Sequence, residues 1–258
     1  MDPLLDFSDK VALITGAGSG FGRLLAIGLA QRGCALVISD INQQNLAQTC
    51  QMVEAHSTKT HSTKISSLVG DVAKEEDCKA LVDIAIDKFG KLDMAVNNAG
   101  IAHQLTPLHL LTEEVVDLQM NVNVKGVLFG MKYQIAAMLE QGNGHILNVS
   151  SMAGIGGAPK GGAYAAAKHA VAGITRTAAI EYGRKGLRCN AICPFYSPTA
   201  ILKGHDSPES QNQLAQGCPM KRLAEPQEIV NVMLLMLSPG NTYMNGQTIA
   251  VDGGVSAW

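Results

Sequence analysis

Tyr164-Ala-Ala-Ala-Lys168 is the pair in this chain whose residue types and spacing most directly suggest chemistry. On a helix, side chains at i and i+4 stack on one face, so a phenol and an ammonium would stand side by side. A free phenol, with a pKa of about 10, is a poor base at neutral pH. A neighbouring cation stabilises the phenolate and lowers that value, which makes the pair a proton-transfer device. Ser151 lies thirteen residues upstream, where an apolar run ends, and its hydroxyl can join the same group.

A second set of residues suits a dinucleotide. The run Val11-Ala-Leu-Ile-Thr15 leads into Gly16-Ala-Gly-Ser-Gly-Phe-Gly22 and then into a helical pattern. Strand, glycine turn and helix start together let the backbone approach a diphosphate and aim helix N–H groups at it. Gly16, Ser19, Gly20, Phe21 and Gly22 are therefore candidate contacts. Asp40 ends the second apolar run, where a carboxylate accepts from both hydroxyls of an adenine ribose and repels a 2′-phosphate. With Ser19 and Ile41 where a cation would favour that phosphate, NAD is expected over NADP. The same Asp40 could instead cap a helix starting near Asn42. Asp71 and Val72 after the third run, and Asn98, Ala99 and Gly100 after the fourth, are placed to meet adenine and ribose; they also suit plain turns.

Such residues need elements to hold them. Strands are expected at 11–15, 35–39, 65–69, 92–96, 145–149, 187–192 and 247–251, several of them continuous apolar runs covered on both faces. Helices are expected at roughly 21–32, 43–57, 74–89, 113–140, 162–184 and 226–238. The alternation predicts an α/β chain, a single doubly wound Rossmann-type domain over 1–258 with a seven-stranded parallel sheet and helices on both faces. Ligands then belong at the carboxyl ends of the strands. The long connection at about 195–225, with Ile201, Leu202, His205 and Met220, is read as a substrate lid, the alternative being a plain surface insertion.

Composition narrows the function classes. The 258 residues are 47% hydrophobic and 16% charged, with a formal charge of -2. That balance excludes disorder and lacks the basic excess that nucleic-acid binding requires. The acidic start and the absence of a long apolar run predict a cytoplasmic protein without signal peptide or membrane span. Six scattered cysteines are expected to be free thiols, and no metal site is expected.

Taken together and in order, Thr15-Gly-x-x-x-Gly-x-Gly22, Asp71-Val72, Asn97-Asn-Ala-Gly100, Asn123 in Val122-Asn-Val-Lys-Gly126, Ser150-Ser151, Tyr164-x-x-x-Lys168 and Val251-Asp-Gly-Gly254 resemble the short-chain dehydrogenase/reductase family. The resemblance runs from about Lys10 to Gly254. It implies a tetrad: Tyr164 as general acid/base, Ser151 orienting the substrate oxygen, Lys168 holding the nicotinamide ribose and lowering the phenol pKa, and Asn123 positioning a relay water. It also implies that Pro194 and Thr199 line the nicotinamide, with Thr199 at its carboxamide. Where the family usually has Pro-Gly, this chain has Pro194-Phe195, so Phe195 and Tyr196 are expected against an apolar or ring-bearing substrate, or else as core filling. His103 and Met152 complete the expected substrate contacts.

The expected activity is hydride transfer between NAD(H) and a neutral secondary alcohol or ketone. The alternatives are an NADPH-dependent 3-oxoacyl thioester reductase of the same family and a catalytically silent dinucleotide sensor. The helices at 113–140 and 162–184 carry Val127, Leu128, Met131, Ile135, Met138, Ala172, Ile174, Ala178 and Ala179, more apolar surface than one side of a sheet should cover, so a homotetramer is expected. Trp258 would pack at a subunit boundary or fray.

Overall fold

Aliphatic runs become strands here because branched side chains fit a pleat that is covered on both faces. In the computed structural model, which describes residues 2–56, 64–202 and 207–257, these are β1 (Val11–Thr15), β2 (Ala35–Asp40), β3 (Ile65–Val69), β4 (Met94–Asn97), β5 (Gly144–Val149), β6 (Leu187–Pro194) and β7 (Thr248–Val251). All pair in parallel, in the order β3-β2-β1-β4-β5-β6-β7. Every residue of β1, β4 and β5 is buried. Because β4 returns to the other side of β1, a crevice opens between their carboxyl ends, the place where sheets of this type take ligands.

The helices are α1 (Gly20–Ala30), α2 (Gln43–Ala55), α3 (Glu75–Phe89), α4 (Glu113–Met120), α5 (Gly126–Gln141), α6 (Gly162–Tyr182), α7 (Pro208–Ala215) and α8 (Pro226–Leu237). Leu25 and Leu29 of α1 and Ile229 and Met233 of α8 pack with Ile14 and Ile38 in the core on one face. On the other, Leu81 of α3, Met131 of α5 and Val171 of α6 pack with Leu13, Val37 and Ile146. The expected double winding is present.

Three features depart from expectation. The stretch 113–140 is interrupted: a π-helical segment, Asn121–Lys125, separates α4 from α5. Such a segment widens the turn and often marks a functional site. Secondly, Val127, Met131, Met138, Ala172, Ala178 and Ala179 are buried by the chain's own sheet and helices; one sheet face covers them after all, while Leu128 and Ile180 stay exposed. Thirdly, the connection after β6 has structure of its own, α7, whose first turn is capped by Ser207 Oγ accepting from Ser210 N–H at 3.2 Å. His205 and Trp258 lie outside the described residues. Among the described residues, no helix is long and apolar enough to cross a membrane, and no three His, Cys, Asp or Glu side chains cluster to hold a metal.

Candidate active site

The turn after β1 is shaped by glycines that no other residue could replace cheaply. Gly16 and Gly20 have φ of +65° and +53°, in the left-handed region. A Cβ on Gly22 would fall 2.4 Å from Gly16 O, so α1 starts directly against the turn. Ser19 stands at the N-cap of α1 without a side-chain capping bond, which leaves the helix's first N–H groups for an anion. Phe21 is half-buried against the core.

Asp40 grips this turn from the end of β2. Its Oδ2 accepts from Gly18 N–H at 2.8 Å and its Oδ1 from Asn42 N–H at 2.8 Å. The helix cap itself is Asn42, whose Oδ1 accepts from Asn45 N–H. A carboxylate offers about four lone-pair sites, so Asp40 retains acceptors for two ribose hydroxyls. Arg23, which sequence reasoning passed over, donates to Gly18 O, Asn45 O and Thr49 Oγ1. Its guanidinium is thus engaged with the chain around the turn.

The turn after β4 is stitched to the glycine turn. Thr15 Oγ1 accepts from both Asn98 N–H and Ala99 N–H at 3.1 Å, and Asn98 Nδ2 donates to Thr15 O and Gly16 O. The Asn98 amide therefore holds the crevice walls together. Asp71 Oδ1 accepts from Ala73 N–H at 2.9 Å, and Val72 packs so closely on α5 that a Cβ on Gly126 would lie 2.8 Å from its Cγ2. Pro194 is buried at the end of β6 beside Val251. Five residues on, Thr199 comes against the turn, 3.4 Å from where a Gly20 Cβ would stand.

The tetrad residues assemble at the carboxyl ends of β4 and β5. Ser151 follows β5, and Tyr164 and Lys168 lie one turn apart on α6. Ser151 hydrogen-bonds the Tyr164 phenol, and its Oγ accepts from Ala153 N–H at 3.1 Å. The adjacent Ser150 is buried and points elsewhere; it donates to Lys168 O at 2.9 Å and ties α6 to β5. The Lys168 ammonium lies 5.7 Å from the Tyr164 ring centroid and donates to Val149 O at 2.8 Å. Asn123, presented by the π-helical segment, is fully buried. It accepts from Ile101 N–H at 3.0 Å and donates to Ile101 O at 2.8 Å and Gln119 Oε1 at 2.9 Å. Gly100 joins the group, since a Cβ there would meet Asn123 Oδ1 at 2.8 Å and Lys168 Nζ at 3.4 Å.

Burial dominates the titration of this pair. It pushes the Tyr164 phenol up to about 12; the Ser151 hydrogen bond opposes the rise, and nearby Tyr196 and Cys193 add to it. The same desolvation pushes Lys168 down to about 8, with Cys193 acting in the opposite direction. Lys168 is not among the groups that act on the phenol in this arrangement, where burial is the largest influence.

Phe195 and Tyr196 form an edge-on pair with centroids 4.7 Å apart. Among the described residues the positive-φ non-glycines are Asp9, Lys160 and Lys221, so Phe195 occupies the family's glycine position without backbone strain. Its ring tip lies 3.9 Å from where a Cβ on Gly217 would stand, against the segment after α7. Met152, half-buried beside Ser151, holds its loop by accepting from Gly156 N–H at 2.9 Å. His103 Nδ1 lies 2.7 Å from Gln104 O. Sequence reasoning gave no site role to Gln119 or Cys193. The i,i+4 spacing of Gln119 and Asn123 was the available signal for the first, and Cys193 had none beyond its place at the end of β6.

With this geometry in view, the comparisons with known proteins are decisive about family. The family model described as enoyl-(acyl carrier protein) reductase matches residues 16–256. Cyclohexanol dehydrogenase of Acinetobacter sp. (strain SE19) is 37% identical over 247 residues, covering 96% of this chain and 95% of that protein. Levodione reductase of Leifsonia aquatica is 36% identical over 263 residues, covering 99% and 97%; a crystal structure of levodione reductase superposes with a TM-score of 0.92 at 35% identity, covering 97% and 99%. The 3-ketoacyl-(acyl-carrier-protein) reductase of Brucella melitensis, complexed with NADH, superposes with a TM-score of 0.89 at 32% identity, covering 97% and 99%. The chain belongs to the short-chain dehydrogenase/reductase family, and its relatives include alcohol dehydrogenases and ketone reductases.

Proposed function

We propose that this chain moves a hydride between NAD(H) and a neutral secondary alcohol or ketone, with Tyr164 as general acid/base. The observation that carries the proposal is the convergence of Ser151, Tyr164 and Lys168 with Gly100 and Asn123 beside the crevice between β1 and β4. When bound, NAD supplies the carbon that accepts or returns the hydride. Tyr164 takes or returns the proton at the substrate oxygen, and Ser151, already bonded to the phenol, orients that oxygen. Lys168 would hold the nicotinamide ribose from its place 5.7 Å from the Tyr164 ring centroid, with its ammonium anchored on Val149 O. Asn123 acts on the Ile101 backbone and so holds Gly100 against Lys168.

The remaining acceptor capacity of Asp40 and the engagement of Arg23 support NAD over NADP. Met152, Phe195 and Tyr196 support an apolar substrate wall, under a lid formed by the connection at 195–225. The chain acts as one catalytic domain over 1–258. Exposed Val116, Leu118, Leu128 and Ile180 on α4, α5 and α6 support assembly into a homotetramer; light scattering at the mass of one 27.2 kDa chain would refute that part.

The test of the activity is NADH absorbance with NAD, and separately NADP, across secondary alcohols, sugar alcohols and 3-hydroxyacyl esters. Turnover with NAD that disappears in Tyr164→Phe, while NAD binding remains, is the expected result. Turnover that survives in Tyr164→Phe overturns the mechanism, and tight NAD binding without turnover on any compound favours a silent sensor.

A further inference from the structure

Four buried side-chain polar atoms among the described residues have no hydrogen-bond partner: Ser39 Oγ, His103 Nε2, His145 Nδ1 and Ser197 Oγ. His145 lies near the amino end of β5, whereas Ser39, His103 and Ser197 all belong to the carboxyl edge, near the end of β2 or in the connections leaving β4 and β6. A buried unpartnered polar atom is costly unless something else satisfies it. Polar groups awaiting a partner are thus gathered where the sheet takes its ligands.

His103 sits on a short arch held at one end by Asn123 and at the other by the segment that leads into α6. At one end, Ile101 is clamped through both its N–H and its carbonyl by Asn123. At the other, Thr106 N–H donates to Lys160 O at 2.8 Å, and Thr106 pairs with Gly161, three residues before Tyr164. Inside the arch, Gln104 O receives Thr106 Oγ1–H at 2.8 Å and His103 Nδ1 at 2.7 Å. A carbonyl only accepts, so Nδ1 carries the proton, and in the neutral ring Nε2 is left as an acceptor with a fixed direction. The reacting oxygen does not need it, because Tyr164 and Ser151 already serve that atom. Leu105, two residues along the same arch, is an exposed aliphatic.

We propose that His103 Nε2 accepts a hydrogen bond from a second hydroxyl of the substrate, so that the preferred substrates are compact apolar diols, or hydroxyketones in the reducing direction. The proposal rests on the alcohol dehydrogenase reading above. A lone acceptor discriminates by donor: a hydroxyl satisfies it, whereas a hydrogen, an ether or a ketone at the same place leaves it unpaired in a closed site.

The test compares kcat/KM for cyclohexanol with that for the best of cyclohexane-1,2-, 1,3- and 1,4-diol, each with NAD and corrected per hydroxyl. Wild-type protein is expected to favour the diol by about tenfold or more, the size of one satisfied hydrogen bond to a buried acceptor. In His103→Phe that ratio should fall to about one, and His103→Gln, which restores an acceptor near the ε position, should recover part of it. Thermal unfolding of both variants checks that the arch still folds. A wild-type ratio near one, or a diol preference that persists in folded His103→Phe, overturns the assignment. Oxidation that depends on Tyr164 but not on His103 sinks this inference alone; oxidation that survives Tyr164→Phe sinks the mechanism beneath it as well.

Discussion

Replacing Lys168 with Met should abolish turnover and, at neutral pH, stabilise the fold. Lys168 is 3% exposed, and burial lowers its pKa from an ordinary 10.5 to about 8. At about 1.4 kcal/mol per tenfold change in ionisation, holding that charge in the native state at pH 7 costs about 3 kcal/mol. Met removes the charge at similar volume but leaves Val149 O without the lysine's 2.8 Å bond, a loss of about 1 kcal/mol. The variant should therefore gain about 2 kcal/mol at pH 7. The pH dependence gives an independent check. Below pH 8 both folded and unfolded wild type keep the proton and the full cost applies. Between 8 and 10.5 the unfolded chain binds more protons than the folded one, so wild-type stability rises with pH. By pH 9.5 the cost has shrunk by about 2 kcal/mol, and the variant's advantage should be gone. Tyr164 acts in the opposite sense only above pH 10, because its phenol is raised to about 12. Urea unfolding of both proteins at equal protomer concentration, at pH 7 and pH 9.5, measures the difference. A variant less stable than wild type at pH 7, or a gap that does not narrow at pH 9.5, would refute the reasoning.

Other substitutions probe the crevice and the opposite end of the sheet. Asp40→Asn keeps the shape but removes the charge, so the NADP-to-NAD ratio of kcat/KM should rise about tenfold, while the amide oxygen can accept from only one of the Gly18 and Asn42 N–H groups and loss of the other bond costs about 1–3 kcal/mol in unfolding experiments. An unchanged ratio would mean that Asp40 does not select the cofactor. Gly22→Ala places a Cβ 2.4 Å from Gly16 O; calorimetry should show NAD binding weakened at least about tenfold and stability lowered by about 2 kcal/mol, and unaltered binding would separate the turn from the diphosphate. His145, buried near Arg188, is pushed down to about 3, chiefly by desolvation. Because the unfolded chain binds its proton at higher pH, wild-type stability should fall as pH drops from 6.5 towards 3, by about 3 kcal/mol at pH 4.5. His145→Gln should flatten acid unfolding over that range, and parallel acid curves would show that the imidazole does not titrate this way.

Much of this molecule is legible in its sequence because the signals are local. Val11–Thr15 is buried on both faces, and its run of four aliphatic residues announces that arrangement without reference to the rest of the chain. The spacing of Tyr164 and Lys168 fixes their common face once α6 is recognised. The π-helical segment at Asn121–Lys125 was not legible, because the apolar spacing of 113–140 continues across it while only the backbone bonding changes. The burial of Ala172, Ala178 and Met138 was also hidden, since how much of a helix a sheet covers depends on the neighbouring helices as much as on its own pattern.

What escaped sequence reasoning at the site has a common character: these residues hold reactive groups without reacting. Asn98 carries a family motif, yet its amide joins two turns. Ser150 sits beside Ser151 and anchors the α6 backbone, so the two hydroxyls differ only in the side of the strand end from which they leave. Gln119 has no motif, but its carbonyl takes one of the two Asn123 amide protons and Ile101 O the other, leaving Asn123 Oδ1 to grip Ile101 N–H. A spacing motif records residue types that chemistry demands; the hydrogen-bond partners that fix their directions can come from any nearby element. That is why Tyr164 and Lys168 could be named from spacing alone, while the direction of the phenol's shift could not. Spacing gave the shared face of phenol and ammonium, but the Val149 carbonyl that takes the ammonium's bond, and the burial that raises the phenol, belong to β5 and to the packed interior.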